Sequence, residues 1–159
     1  MCMKNLEPYE HDGDIVAYKA VFKLKDGTLV SPKTHLARDI ETDYVYQSGN
    51  NSADDPERGL CSFVNREDAI RMAYGCSGFG GVTRTEQVES VIVLQVTIPA
   101  DDQTRRGNHG EIKENGYVSQ TLIIDIRVLE EYPMVRDHKR AGDYLKYLWQ
   151  WEDDAIPSV

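Results

Sequence analysis

The chain has 159 residues and a mass of 18.1 kDa, enough for one domain to bury its own core without a disulfide or metal staple. Hydrophobic residues make up 40% and charged residues 28%, the balance of a globular protein, and no apolar run approaches the roughly 20 residues that span a bilayer. A net charge of -9 and a pI near 4.9 oppose non-specific nucleic-acid binding, which needs lysines and arginines to displace counterions from phosphate.

The opening "MCMKNLEPYEHDGD" (1–14) is polar and acidic and reads as a loose lead. It has neither the apolar stretch nor the basic start of a signal peptide, so residence in the cytoplasm is expected. "IVAYKAVFKL" (Ile15–Leu24) is rich in Val, Tyr and Phe and predicts a strand, and "KDGT" after it predicts a hairpin turn with Gly27 at positive φ. "LVS" returns as the second arm, and "DYVYQ" (Asp43–Gln47) is a further short strand with Tyr44 and Tyr46 on the face opposite Val45. Ser48–Gly59 contains nothing apolar larger than Ala53 and reads as a solvated loop, the clearest candidate for disorder.

"LCSFV" then resumes a strand, and Asn65 is placed to cap a helix by accepting from the N–H of Glu67 or Asp68. Ala69, Met72 and Ala73 form its apolar stripe, and Gly75 is expected to end it after about ten residues. "SVIVLQVTIP" (Ser90–Pro99) is the strongest strand and belongs at a sheet centre. "ADDQTRRGNHGEIKENG" is a second polar loop, and "YVSQTLIIDIRVLEEY" a last strand. "AGDYLKYLWQWED" has Tyr144, Leu145, Leu148 and Trp151 at helical spacing, before an acidic end that should fray. These elements imply an α+β fold, a mainly antiparallel sheet of about five to six strands with two helices. The expected organisation is a lead (1–14), a single domain (15–138), and a C-terminal helix with an acidic tail (139–159).

Chemistry-bearing patterns are sparse. Cys2, Cys61 and Cys76 are odd in number with no CxxC spacing, so reduced thiols are expected, with Cys61 a core thiol. His11, His35, His109 and His138 are scattered without a partner at metal-ligand spacing, and neither a metal nor a cofactor is expected. Gly75, Gly78, Gly80 and Gly81 fall after the expected helix, the reverse of the order that cradles phosphate at a helix start. The acidic pairs Asp54–Asp55, Asp101–Asp102 and Glu130–Glu131 read as solvated faces. Cations gather in loops at Arg84, Arg105, Arg106 and His109, and Arg105 with Arg106 makes an anion-seeking patch, because guanidinium grips phosphate or carboxylate through a two-pronged fork. Tyr144, Tyr147, Trp149 and Trp151 give the C-terminal helix the aromatic density of a partner-binding face.

Two resemblances are carried by these motifs. "ERGLCSFVNREDAIRMAY" with "VESVIVLQVTIPADDQTRR" resembles an uncharacterised small domain of bacteria and their phages, sometimes found beside pentapeptide repeats. Gly59, Phe63, Asp68, Ala69, Ile98, Pro99, Asp101 and Arg105 match over residues 15–130, while "GYVSQTLIID" replaces that family's basic-cysteine segment. The resemblance implies a single folded, phage-borne module. In order, "AYKAV", "GLCSFVNREDAIRMAY" and "SVIVLQVTIP" are also similar to ADP-ribosyltransferase-like domains. That likeness implies Lys19 at the phosphate of a nicotinamide nucleotide, Ser62 near the nicotinamide ribose, and Tyr74 stacked on the ring. Lys19 replaces the family's Arg or His, and no Glu-x-Glu pair follows the central strand, with Glu111 and Glu114 spaced too widely.

The leading expectation is a non-catalytic protein-binding module of phage or mobile-element origin, acting by protein contact, with inhibition of a host system as one form of that contact. A protein partner is expected, and neither direct nucleic-acid binding nor a membrane. The alternative is a nucleotide-binding or ADP-ribosyltransferase-like domain that uses NAD.

Overall fold

β7 (Val88–Ile98) is apolar at seven of its eleven positions, on both faces, and the structure shows why: both of its edges are paired and both of its faces are covered. The computed structural model describes residues 3–32, 44–79, 87–109 and 112–133. Along one edge β7 runs antiparallel to β2 (Ile15–Leu24), from Ile15 opposite Ile98 to Leu24 opposite Val88. Along the other it pairs with β10 (Thr121–Pro133), whose outer edge holds β5 (Gly49–Ser52).

The remaining edge of β2 is shared. β6 (Leu60–Phe63) takes one part through Tyr18 opposite Phe63, while β3 (Leu29–Val30) takes the other through Phe22 opposite Val30. From β6 the sheet continues through β9 (Ile112–Ser119) and β8 (Arg105–His109) to β1 (Lys4–Pro8); from β3 it continues to β4 (Val45–Tyr46). Every pairing is antiparallel.

Strand alternation divides the buried side chains between two cores. Ala20 and Phe22 of β2 point to the first, where α1 (Arg66–Phe79) lays Ala69, Ile70 and Ala73 against Phe63, Val91 and Val93. Ala17 and Val21 point to the second, with Ile92, Leu94, Val96, Leu122, Ile124, Tyr46 and Tyr117. Asn65 caps α1 as expected, its Oδ1 accepting from the N–H of Asp68 at 3.1 Å.

The expected α+β domain of five to six strands and two helices is overturned. The described residues form a ten-stranded antiparallel sheet with one helix, an all-β-like architecture. The second expected helix lies outside the described residues. Three polar segments read as lead or loop are strands: β1 in the lead, β5 in Ser48–Gly59, and β8 with the start of β9 in the second loop. At a sheet margin the backbone ladder itself holds a strand, so an apolar stripe is not required. Asn51 illustrates the substitute: in the polar "GNNS" its buried amide donates to the carbonyls of Gln47, Gly49 and Leu122. The final expected strand is likewise two, β9 and β10, divided at Gln120.

α1 also runs fourteen residues, through Gly75 and Gly78. A helix-interior glycine costs about 1 kcal/mol against alanine, which burial of one face outweighs. Gly59 combines two demands, a φ of +65 and a position where an added Cβ would lie 2.4 Å from Val118 Cγ1. Gly59→Ala therefore combines a left-handed backbone with a steric clash and should lower unfolding free energy by about 1–3 kcal/mol. A urea midpoint equal to wild type would refute this assignment.

Candidate functional site

Lys19 occupies a position where an apolar residue is expected, on the second-core face of β2, with only 3% of its surface exposed. Its Nζ donates to the carbonyl oxygen of Cys61 at 2.5 Å and lies 4.9 Å from the ring centroid of Tyr46. The register that puts Tyr18 opposite Phe63 sets Ser62 across from Lys19 on that same face. Ser62 is 0% exposed, and its Oγ is buried without a hydrogen-bond partner. Native interiors rarely leave such an atom unsatisfied.

The same line continues across the sheet. Leu94 stands opposite Lys19, Tyr117 opposite Ser62, Arg106 opposite Tyr117 and Glu7 opposite Arg106. Directly opposed residues share a face, so Lys19, Ser62, Tyr117, Arg106 and Glu7 form one polar rung. With neighbouring strands about 4.8 Å apart, Lys19 and Arg106 are separated by about 14 Å. The Arg106 guanidinium lies 5.2 Å from the Tyr9 ring and 5.4 Å from the Tyr117 ring, and its Nε donates to the Glu114 carbonyl at 3.1 Å. Burial pushes the Tyr117 phenol up, an effect that the Arg106 charge partly offsets and Tyr9 reinforces. Burial also raises Tyr46 well above its ordinary value of 10, with Cys61, Tyr44 and Asp54 adding to the effect.

Beside this rung lies a cleft of about 700 Å³, walled by Pro8–Asp12, Pro56, Ala100–Arg105 and Gln120. Its polar groups are held by the backbone around them. Both Asp102 carboxylate oxygens are engaged, Oδ1 accepting from the Gln120 N–H at 3.0 Å and Oδ2 from the Thr121 N–H at 2.7 Å. His11 is bonded through both ring nitrogens, Nδ1 to the Gly13 carbonyl at 2.8 Å and Nε2 to Thr104 Oγ1 at 3.0 Å. Arg105 reaches away from Arg106, its Nη2 donating to the Glu57 carbonyl at 2.8 Å. Among the described residues, no group of three His, Cys, Asp or Glu side chains is arranged to hold a metal ion.

The structure thus brings Lys19, Ser62 and Arg106 onto one rung, but separates Arg105 from Arg106. His109 stands elsewhere, its ring edge-on to Phe63 at 5.4 Å in the first core. Tyr74 lies in α1, and its side chain is outside the described residues, as are Arg84, Tyr144, Tyr147, Trp149 and Trp151. Cys61 is a half-buried free thiol packed against the first core. Several acids read as solvated are structural. Besides Asp102, Glu130 accepts from Arg66 Nη1 at 2.5 Å and from the Tyr132 hydroxyl, and Glu131 accepts from Ser90 Oγ at 2.6 Å.

Tyr9, Tyr117 and Asp102 were not among the candidates. Tyr9 sits in a polar segment, and Tyr117 begins what reads as an ordinary strand, so only pairing reveals that they flank an arginine. No protein-family model, curated protein or solved structure matches this chain.

Two measurements check this geometry. Ser62→Ala removes a buried hydroxyl that makes no hydrogen bond, so it should stabilise by about 1 kcal/mol and raise Tm by roughly 2–4 °C. An unchanged or lowered Tm would show that the hydroxyl is satisfied. Because the Tyr46 phenol is raised in the folded state, its contribution to stability is intact below pH 10 and is lost as pH rises above that value. Tyr46→Phe should therefore flatten the decline of the urea midpoint above pH 10, and a decline parallel to wild type would contradict it.

Proposed function

We propose that the protein is a non-catalytic binding module that acts through protein contact, with a basic segment of its partner seated in the cleft beside β1. The observation that supports this most is how acids are distributed there. Glu10, Asp12, Asp101 and Asp102 are spread along a cleft of about 700 Å³ without converging on a metal-sized point. Such spacing suits the separated charges of lysines and arginines along an extended chain. A net charge of -9 adds long-range attraction for a basic surface. The side chains that could do proton chemistry, His11 and Asp102, are committed to hydrogen bonds that fix the loops. A phage or mobile-element origin, residence in the cytoplasm and inhibition of a host system belong to this same reading. No helix among the described residues is long and apolar enough to cross a membrane.

One observation favours a second reading, a nucleotide-binding or ADP-ribosyltransferase-like domain using NAD: Lys19 and Ser62 face each other across β2 and β6. Both are buried under the second core, so NAD would have to open that core to reach them.

A comparison separates the two. Partners captured by the intact protein from its native cell are measured again with Glu10→Gln, Asp12→Asn and Asp101→Asn combined, with melting curves in NAD alongside. The triple variant should slow association about tenfold at low salt, with the difference shrinking as salt rises. NAD should leave Tm unchanged. Equal capture by the variant removes the cleft from the contact surface. A rise in Tm with NAD, about 2.7 kcal/mol of stabilisation at a hundredfold excess over Kd, favours the second reading.

A further inference from the structure

In a chain that carries 27 acidic residues against 18 basic ones, an arginine without a carboxylate partner requires explanation. Arg106 is one: its bonds and contacts are the Nε donation to the Glu114 carbonyl and the faces of Tyr9 and Tyr117. Glu7 stands opposite it in the strand register, yet among the described residues no carboxylate lies within ion-pair distance of its guanidinium. The terminal nitrogens Nη1 and Nη2 make no hydrogen bond among the described residues.

The guanidinium is also held in place. Tyr9 and Tyr117 stand 5.9 Å apart between ring centroids and both contact it, while Nε is anchored to a backbone carbonyl. That carbonyl belongs to Glu114, a residue at φ 52 in the left-handed region, where a non-glycine residue is uncommon. A guanidinium fixed at Nε presents its two terminal nitrogens as a fork, and fixing it beforehand lowers the entropy lost when a ligand binds. The half-buried setting further strengthens a charge-assisted hydrogen bond relative to bulk water.

We propose that Arg106, walled by Tyr9 and Tyr117, binds the oxyanion of a small ligand, a phosphate or carboxylate group taken end-on by Nη1 and Nη2. Arg105 is no part of this site, because its Nη2 is spent on the Glu57 carbonyl. Glu7 is its competitor, the one rung neighbour whose charge opposes an anion. The site does not rest on the basic-segment reading: Arg106 does not line the acidic cleft, and Tyr9 is the residue common to both.

The test uses the whole chain and defined probes: inorganic phosphate, acetate and adenosine monophosphate, each titrated against chloride at constant ionic strength. Binding is read by calorimetry and by the Arg106 Nε–Hε resonance in a 1H–15N spectrum. Wild type should respond with saturation. Phosphate and the monophosphate responding without acetate assigns a phosphate-bearing ligand, and acetate responding alone assigns a carboxylate. Arg106→Lys keeps the charge but lacks the fork, and should bind at least tenfold more weakly. Arg105→Ala should bind as wild type does. Glu7→Gln should bind about threefold more tightly, the effect of one charge removed at roughly 6 Å in water. The proposal is overturned if no probe saturates, if Arg106→Lys responds like wild type, or if Glu7→Gln leaves affinity unchanged. The Glu7 result stands even should Arg106→Lys fail to fold.

Discussion

The pairing of β2 with β7 is the constraint from which the rest of the structure follows. From Ile15 opposite Ile98 to Lys23 opposite Ser90 the register holds without a shift, and the irregularity comes only at Leu24. A slip of one residue would exchange the faces of every side chain on β2, moving Ala20 and Phe22 out of the helix-side core. Because both cores are built on this one ladder, such a slip is opposed from two sides. The same register turns Lys19 inward, so a buried lysine is the consequence of a strand whose other positions are non-negotiable.

Sharing of the second β2 edge then shapes the sheet. β6 and β3 cannot occupy the same stretch, so the chain divides into one arm leading to β1 and another leading to β4. The longer arm carries the polar rung outward from the buried Lys19 and Ser62 to the half-buried Arg106 and the exposed Glu7. Burial therefore decreases along a single line of opposed residues. Aromatic faces accompany the cations throughout: Tyr46 on Lys19, Tyr9 and Tyr117 on Arg106. Ring faces stabilise a partly desolvated cation without neutralising it, which leaves charge available at the sheet's margin.

The acids divide into two kinds. Asp102, Glu130 and Glu131 hold loops and strands by accepting hydrogen bonds from backbone or side-chain donors. Glu10, Asp12 and Asp101 edge the cleft. Asp101 and Asp102 are neighbours in sequence, and which of them acts as a clamp depends on where the β9–β10 turn places the amides of Gln120 and Thr121. An acidic pair in a loop has the same composition whichever member is engaged.

Local pattern alone determined the central elements: the apolar β2 and β7, the "KDGT" turn with Gly27 at φ +92, the Asn65 cap, and the alternation that buries Tyr46 while leaving Val45 53% exposed. Each of these depends on residues near one another in the chain, where periodicity, turn chemistry and capping act. Tertiary structure decided the margins and the site. β1 and β5 are polar strands held by ladders to distant partners, β8 joins the distant β1 to its sequence neighbour β9, and α1 passes Gly75 because a sheet face lies under it. Lys19, Ser62 and Arg106 were each visible as single residues, but the rung they share depends on the registers of β2 with β6 and of β6 with β9, strands far apart in sequence. Register is set by the simultaneous burial of two cores and by long-range backbone hydrogen bonds, and neither is written in any one stretch of residues.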